Sequence, residues 1–104
     1  IMRHIRLSKF QSEELPIVLN MLDRCGDGEY PVTATVACNV SSGIDLNPNS
    51  ILAGSASVVD QQDIRQRIAG GLPGVIYDLQ FAAETNLGSI YIDTVHIAIL
   101  PDGS

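Results

Sequence analysis

Tryptophan is absent from this chain, three tyrosines and two phenylalanines are its aromatic residues, and 6 basic residues stand against 12 acidic ones among its 104. Each scarcity excludes something. With a net charge of −6, the body of the protein repels phosphate backbones, and affinity for nucleic acid rests on cationic contacts to phosphate, so no nucleic-acid partner is expected. No apolar run approaches the about 20 residues that cross a bilayer, so no membrane partner is expected either. The opening Ile1-Met2-Arg3-His4-Ile5-Arg6-Leu7-Ser8 is basic but has no apolar stretch behind it, which argues against a signal peptide and for a soluble protein. Because Ile1 precedes Met2, the natural start is expected to lie elsewhere.

Cysteine is scarce as well. Cys25 and Cys38 have neither the spacing of a zinc knuckle nor the density of a disulfide scaffold, so two free thiols in a reducing compartment are expected, with Cys38 a small core residue. His4 and His96 have no partner at metal-ligand spacing, and His96 reads as a partly buried ring with a hydrogen-bond partner. Asp60, Asp63 and Asp78 do not match a calcium loop and read as a solvated face. Ser41 and Ser42 have no glycine-framed nucleophile motif. Gly70-Gly71-Leu72-Pro73-Gly74 is no phosphate loop, since no Lys-Ser/Thr follows it and the next element is a strand. These absences point to a non-enzymatic protein with no cofactor and no metal.

What is present is the grammar of strands and turns. The length suits one domain, and 45% hydrophobic against 17% charged residues favours a folded core. The clearest strand follows the glycine turn: Val75, Tyr77, Leu79, Phe81 and Ala83 share one face, with Asp78, Gln80 and Glu84 on the other. Val32, Ala34, Val36, Cys38 and Val40 alternate in the same way and stop at Ser41-Ser42-Gly43. Ile64, Gln66 and Ile68 alternate with Asp63, Arg65 and Arg67, and Gln66, if buried, needs a hydrogen-bond partner. In Leu15–Leu22, Leu15, Ile17, Leu19 and Met21 fit a strand that Pro16 confines to an edge, while Leu15, Val18, Leu19 and Leu22 fit a short helix capped by Ser12-Glu13-Glu14. Residues 44–50 read as a polar loop. The small residues of 51–59 read as a strand open to close approach or as an irregular connection. Ser89–Leu100 changes parity between Ile92 and Val95, which calls for a bulge near Asp93 and Thr94. Six or seven strands about ten residues apart are the mark of a β-sandwich.

The stretches Ile68-Ala69-Gly70-Gly71, Gly74-Val75-Ile76-Tyr77-Asp78-Leu79, Thr85-Asn86-Leu87-Gly88 and Val95-His96-Ile97-Ala98-Ile99 together resemble a pattern of small tailed-phage virion proteins. There a glycine-tyrosine-threonine-glycine signature closes an immunoglobulin-like sandwich, and the group includes fibre-tail adaptor proteins. The resemblance runs over about residues 30–100 and is strongest over 68–100. It implies an all-β, immunoglobulin-like sandwich of six to seven antiparallel strands, placed over 15–104, while residues 1–14, which are not part of the signature, read as an extended N-terminal arm. It also implies a virion structural role, assembled in the host cytoplasm and located in the tail, with other phage tail or fibre proteins as partners and several copies in a ring. Two alternatives remain open: an immunoglobulin-like receptor- or glycan-binding module, and a capsid decoration or head-to-tail neck protein. A sugar site would draw on Tyr30 and Tyr91, the aromatics expected to be accessible.

Fold and partner roles fall on different residues. Gly70, Gly71, Gly74 and Gly88 are expected to shape turns, and Tyr77 to put its ring in the core with its hydroxyl at the rim. Partner contacts are expected from what the fold does not need: the basic arm with Arg3, Arg6, Lys9 and Phe10, the loop with Asn47 and Asn49, an exposed edge strand, and the exposed one of Ile76 and Ala82. The arm carries three positive charges and no acid through residue 12, opposite in sign to the rest of the chain, which suits docking on an acidic neighbour.

Overall fold

Alternating apolar residues fold into seven strands over residues 3–103, the part described by the structure, a computed structural model. In chain order they are β1 (Arg3–Phe10), β2 (Leu15–Asn20), β3 (Pro31–Ser42), β4 (Ser57–Val59), β5 (Asp63–Ile68), β6 (Ile76–Thr85) and β7 (Ile90–Leu100), with a 3-10 helix at Pro48–Ile51 between β3 and β4. They form a four-stranded sheet in the order β1-β7-β6-β3 and a three-stranded sheet in the order β2-β5-β4. The two sheets close on one core as an all-β sandwich. Its third, sixth and seventh strands share one sheet while its second, fifth and fourth share the other, the strand partition of immunoglobulin-type sandwiches.

The core follows the period of two. Ile17, Leu19 and Met21 from β2 and its end, Ile64 and Ile68 from β5, Tyr77, Leu79, Phe81 and Ala83 from β6, and Val95, Ile97 and Ile99 from β7 are all buried. The strand reading of residues 15–20 is therefore the correct one, and Pro16 sits on an edge strand as its missing N–H requires. On β3, Cys38 is buried and Ala34, Val36 and Val40 are half-buried, but Val32 is 44% exposed because the register shifts between Pro31 and Thr33. Gln66, 1% exposed, has the partners that its burial demands: its Nε2 donates to the Gly54 and Arg67 carbonyls at 3.0 and 2.8 Å.

Two expectations need correction. Residues 3–10 are not an arm lying outside the sandwich. They form β1, an edge strand paired with β7 from Arg3↔Asp93 to Phe10↔Leu100, and this pairing is parallel, so the strands are not all antiparallel. The half-buried Ile5 and the buried Lys9 supply the reason, since inward apolar groups of β7 need cover on that side. Second, β7 has no bulge at Asp93 and Thr94: its register with β6 runs unbroken from Ile76↔Ala98 to Glu84↔Ile90. The inward parity of Val95, Ile97 and Ile99 continues through Asp93, an acid in a core position, and Ile90 faces outward, 62% exposed. Of the two readings of 51–59, the irregular connection holds for most of the stretch. Ile51 ends the 3-10 helix and is fully buried, and strand pairing begins at Ser57.

Candidate functional site

The glycine turn builds a corner. Gly70, Gly71 and Gly74 have φ of 68°, 98° and 85°, and Gly88 in the β6–β7 turn has 86°, conformations that favour glycine. Gly71 has a second constraint, because a Cβ there would lie 2.8 Å from Cγ1 of Ile99. Tyr77, near the start of β6, is fully buried, and its hydroxyl accepts from the Leu72 N–H at 3.0 Å and donates to Asp45 Oδ2 at 2.6 Å. A tyrosine hydroxyl tied to backbone a few residues upstream is a recurring device at this corner of immunoglobulin-type sandwiches. Burial, with the bond to Asp45, pushes the Tyr77 hydroxyl up to about 12, while that bond and the Asn47 N–H hold the Asp45 carboxyl below its usual range. Asp45 lies 32 residues from Tyr77 in sequence and gives no signal there.

A second polar group clasps the β2–β3 loop, residues 21–30, to the far end of β6 and β7. The Arg24 guanidinium pairs with the buried Asp93 carboxylate and lies 5.2 Å from the Tyr91 ring centre. Glu29 accepts from the Gly26 N–H at 3.0 Å, the Tyr91 hydroxyl at 2.8 Å and the Thr85 hydroxyl at 2.9 Å, and these bonds, the Gly26 one foremost, hold its carboxyl down at about 2. Asn86 completes the clasp: its Oδ1 accepts from the Tyr30 N–H and its Nδ2 donates to the Gly28 carbonyl. Thr85 and Asn86 thus close the hairpin and hold a distant loop. Tyr91, expected to be accessible, is half-buried and committed to this clasp. The signal for Asp93 was its lone acid in an apolar run; Arg24 and Glu29 gave none.

The residues expected to meet partners do not come together. Of Arg3 only the backbone belongs to the described part, and Arg6 points out from the four-stranded sheet. Lys9 is 2% exposed, and its Nζ donates to the carbonyls of Phe10, Gln11 and Glu13 at 2.8, 3.0 and 2.9 Å, so it anchors the β1–β2 turn and is not available to a partner. Burial pushes its ammonium pKa down, opposed by the charges of Glu13 and Asp102. Phe10 is half-buried, and its N–H donates to the Glu13 carboxylate at 2.6 Å. On the other side of the sandwich, Asn49 covers the edge of β3, its Oδ1 accepting from the Cys38 N–H at 3.2 Å, while Asn47 is exposed with its N–H donated to Asp45. Ile76 and Ala82 are both half-buried.

What remains open is the side where β1 and β2 face each other as the edge strands of their sheets. Between them runs a groove of about 350 Å³, lined among others by Ile5, Leu7, Leu15, Pro16, Val18 and Ile97. Leu7 and Val18 are 43% and 47% exposed at its rim. Neither thiol is reactive in character: burial pushes Cys38 up to about 12, and burial and the Glu29 charge push Cys25 up. Both cysteines are free. Among the described residues, no three histidine, cysteine or acidic side chains gather as a metal site, and no buried side-chain polar atom lacks a partner.

No family model and no curated protein matches the chain. Among solved structures it is similar to a 2,6-sialyltransferase of Vibrionaceae Photobacterium sp. JT-ISH-224, crystallised in a ternary complex with the donor product CMP and the acceptor substrate lactose. The match has a TM-score of 0.55 at 14% identity and covers 97% of this chain and 18% of that one. A likeness at this identity is one of fold, and the chain spans less than a fifth of that protein's length.

Proposed function

We propose that this chain is a non-enzymatic structural protein of a tailed-phage virion, an adaptor that joins the tail to fibres or to another tail protein. The observation that carries the reading is the open side between β1 and β2. Two edge strands there present unpaired backbone groups beside an apolar groove with Leu7 and Val18 exposed at its rim. An edge of this kind accepts a neighbour's strand through main-chain hydrogen bonds, with side-chain pockets for selectivity. The placement in a virion rests on the resemblance over 68–100, whose glycines and tyrosine build the corner described above. The clusters of charged and polar residues support a binding role over a catalytic one, since their groups are spent on holding loops to strands.

Docking belongs to the groove and not to a detachable basic arm, because Lys9 is buried and residues 3–10 are part of a sheet. The test is native mass spectrometry of the chain purified with its associated proteins from its natural source, beside a Leu7→Glu, Val18→Glu variant. The expected result is several copies bound to tail or fibre proteins in a fixed ratio, lost in the variant while its thermal unfolding stays close to that of the parent. A lone monomer, or a variant that assembles as well as the parent, overturns the reading.

A further inference from the structure

On the outer face of the four-stranded sheet, three side chains from three adjacent strands line up. His96 of β7 uses Nδ1 to bond Asp78 Oδ1 of β6, its direct register partner, and uses Nε2 to bond Nδ1 of His4 on β1 at 3.1 Å. The two imidazole planes lie within 7° and their centres are 5.4 Å apart. With the nitrogens only 3.1 Å apart, a centre separation this large requires the rings to meet end-on in nearly one plane, nitrogen pointing at nitrogen. This is a hydrogen bond along the ring axes, not a face-to-face stack, and it leaves Nε2 of the exposed His4 directed away from His96.

We propose that His4, His96 and Asp78 form a proton-operated latch, which holds the first half of β1 on the sheet at neutral pH and releases it on acidification. Proton counting gives the mechanism. The Asp78 carboxylate only accepts, so Nδ1 of His96 carries a proton. With both rings neutral, His4 Nδ1–H donates to the lone pair of His96 Nε2. With one added proton, the bond survives in either direction, as an imidazolium facing a neutral ring. A second proton sets N–H against N–H across 3.1 Å, so the bond is lost and two cations face each other. Asp78 offsets one positive charge and not two.

The surroundings favour release. The groups facing the pair are Arg6 and Ser8 on β1, Thr94 and Ala98 on β7, and Ile76, Asp78 and Gln80 on β6, with Asn39 of β3 behind Asp78. Among the described residues, Arg6, the register partner of His96, is the other charge facing the pair and adds to the repulsion. β1 has a neighbour strand on one side only, so its N-terminal half relies on β7, whereas its C-terminal end is fixed by Lys9. The clasp at Glu29 is not touched by mild acid, since that carboxyl stays ionised down to about 2. The latch therefore acts on β1 alone. Its release uncovers the β7 edge and enlarges the apolar groove; that docking consequence rests on the adaptor reading, and the latch does not.

The experiment is residue-resolved amide hydrogen exchange on the full chain at about pH 7.5 and about pH 5, the range over which imidazoles take up protons, corrected for intrinsic exchange. Protection of the β1 amides is expected to fall at least about tenfold at the lower pH while that of β6 holds, a local opening and not global unfolding. In His4→Gln, at an exposed position, the β1 amides should show the same protection at both pH values. The coupling between His4 Nδ1 and His96 Nε2 in ¹⁵N-labelled protein is expected at the higher pH and not at the lower. A β1 protection that does not change with pH, a His4→Gln variant with the parent's pH dependence, or a coupling that persists at pH 5 each overturns the latch.

Discussion

Among the described residues, side chains of this sandwich are held by backbone more often than by other side chains. Tyr77 serves as ring and as hydroxyl, and the hydroxyl ties the 72–77 turn to Asp45 across the β3–β4 connection. Gly71 combines a positive φ with a contact to Ile99 that leaves no room for a Cβ, so its identity follows from the packing of β7 as much as from the turn. Glu29 links stability to pH. Its carboxyl is held down at about 2 in the folded chain against an ordinary 4.5, so the ionised form is bound more strongly in the folded state. That contribution is complete above about pH 4.5 and disappears as pH falls through about 2. Thermal unfolding followed from pH 6 to about pH 2 should accordingly show a smaller loss of Tm with acid in Glu29→Gln than in the parent, the variant starting from a lower Tm at pH 6.

Among the elements, the β2–β3 loop shows how a long connection is kept in place. Between residues 22 and 30 the half-buried Cys25 packs against the core; Arg24, Glu29 and the backbone at Gly28 and Tyr30 carry the rest of the loop onto β6 and β7. Asp93 is the costly part, because it is a carboxylate with 1% exposure that Arg24 neutralises. Removing one partner of a buried ion pair costs up to about 3–5 kcal/mol because the other charge stays buried with less compensation, whereas replacing both with apolar groups of similar size can be neutral. In urea unfolding, Arg24→Met is expected to lose stability by no more than that, and the double variant Arg24→Met, Asp93→Leu to recover part of the loss. Equal losses in the single and the double variant would mean that the pair does not act as a unit.

For the whole molecule, β1 decides which reading of the N-terminus holds. Had residues 1–12 been a free docking arm, their removal would leave unfolding unchanged. Because residues 3–10 are the strand β1, whose loss bares Val95, Ile97 and Ile99 of β7, removing them is expected to lower stability by more than about 2 kcal/mol, since each fully buried side chain of this size contributes about 1.5–3 kcal/mol. Chemical denaturation of the chain lacking residues 1–10 measures this directly. The same geometry places the binding surface at the seam of the two sheets, so a substitution at Leu7 or Val18 separates docking from folding in a way that truncation does not.

Period-two alternation in β5 and β6, and in most of β3, made the all-β class and the inward face of those strands legible, because burial on one side of a pleated strand leaves a direct imprint on sequence, whereas in residues 15–22 the same spacing also fitted a helix and only the pairing with β5 decided for a strand. The glycine turns and the place of the Tyr77 ring were legible for the same reason: positive φ and large apolar area act locally. Tertiary structure alone decided the partners of polar groups. Arg3, Arg6 and Lys9 look alike as a basic run, yet Lys9 turns inward to three carbonyls while Arg6 faces water, and no local rule separates them. Asp93 read as a break in the β7 pattern because its counter-charge lies 69 residues away, and His4 meets His96 across 92 residues. Hydrogen bonds and ion pairs are directional and specific to a partner, so they become visible only when distant segments of the chain are brought side by side.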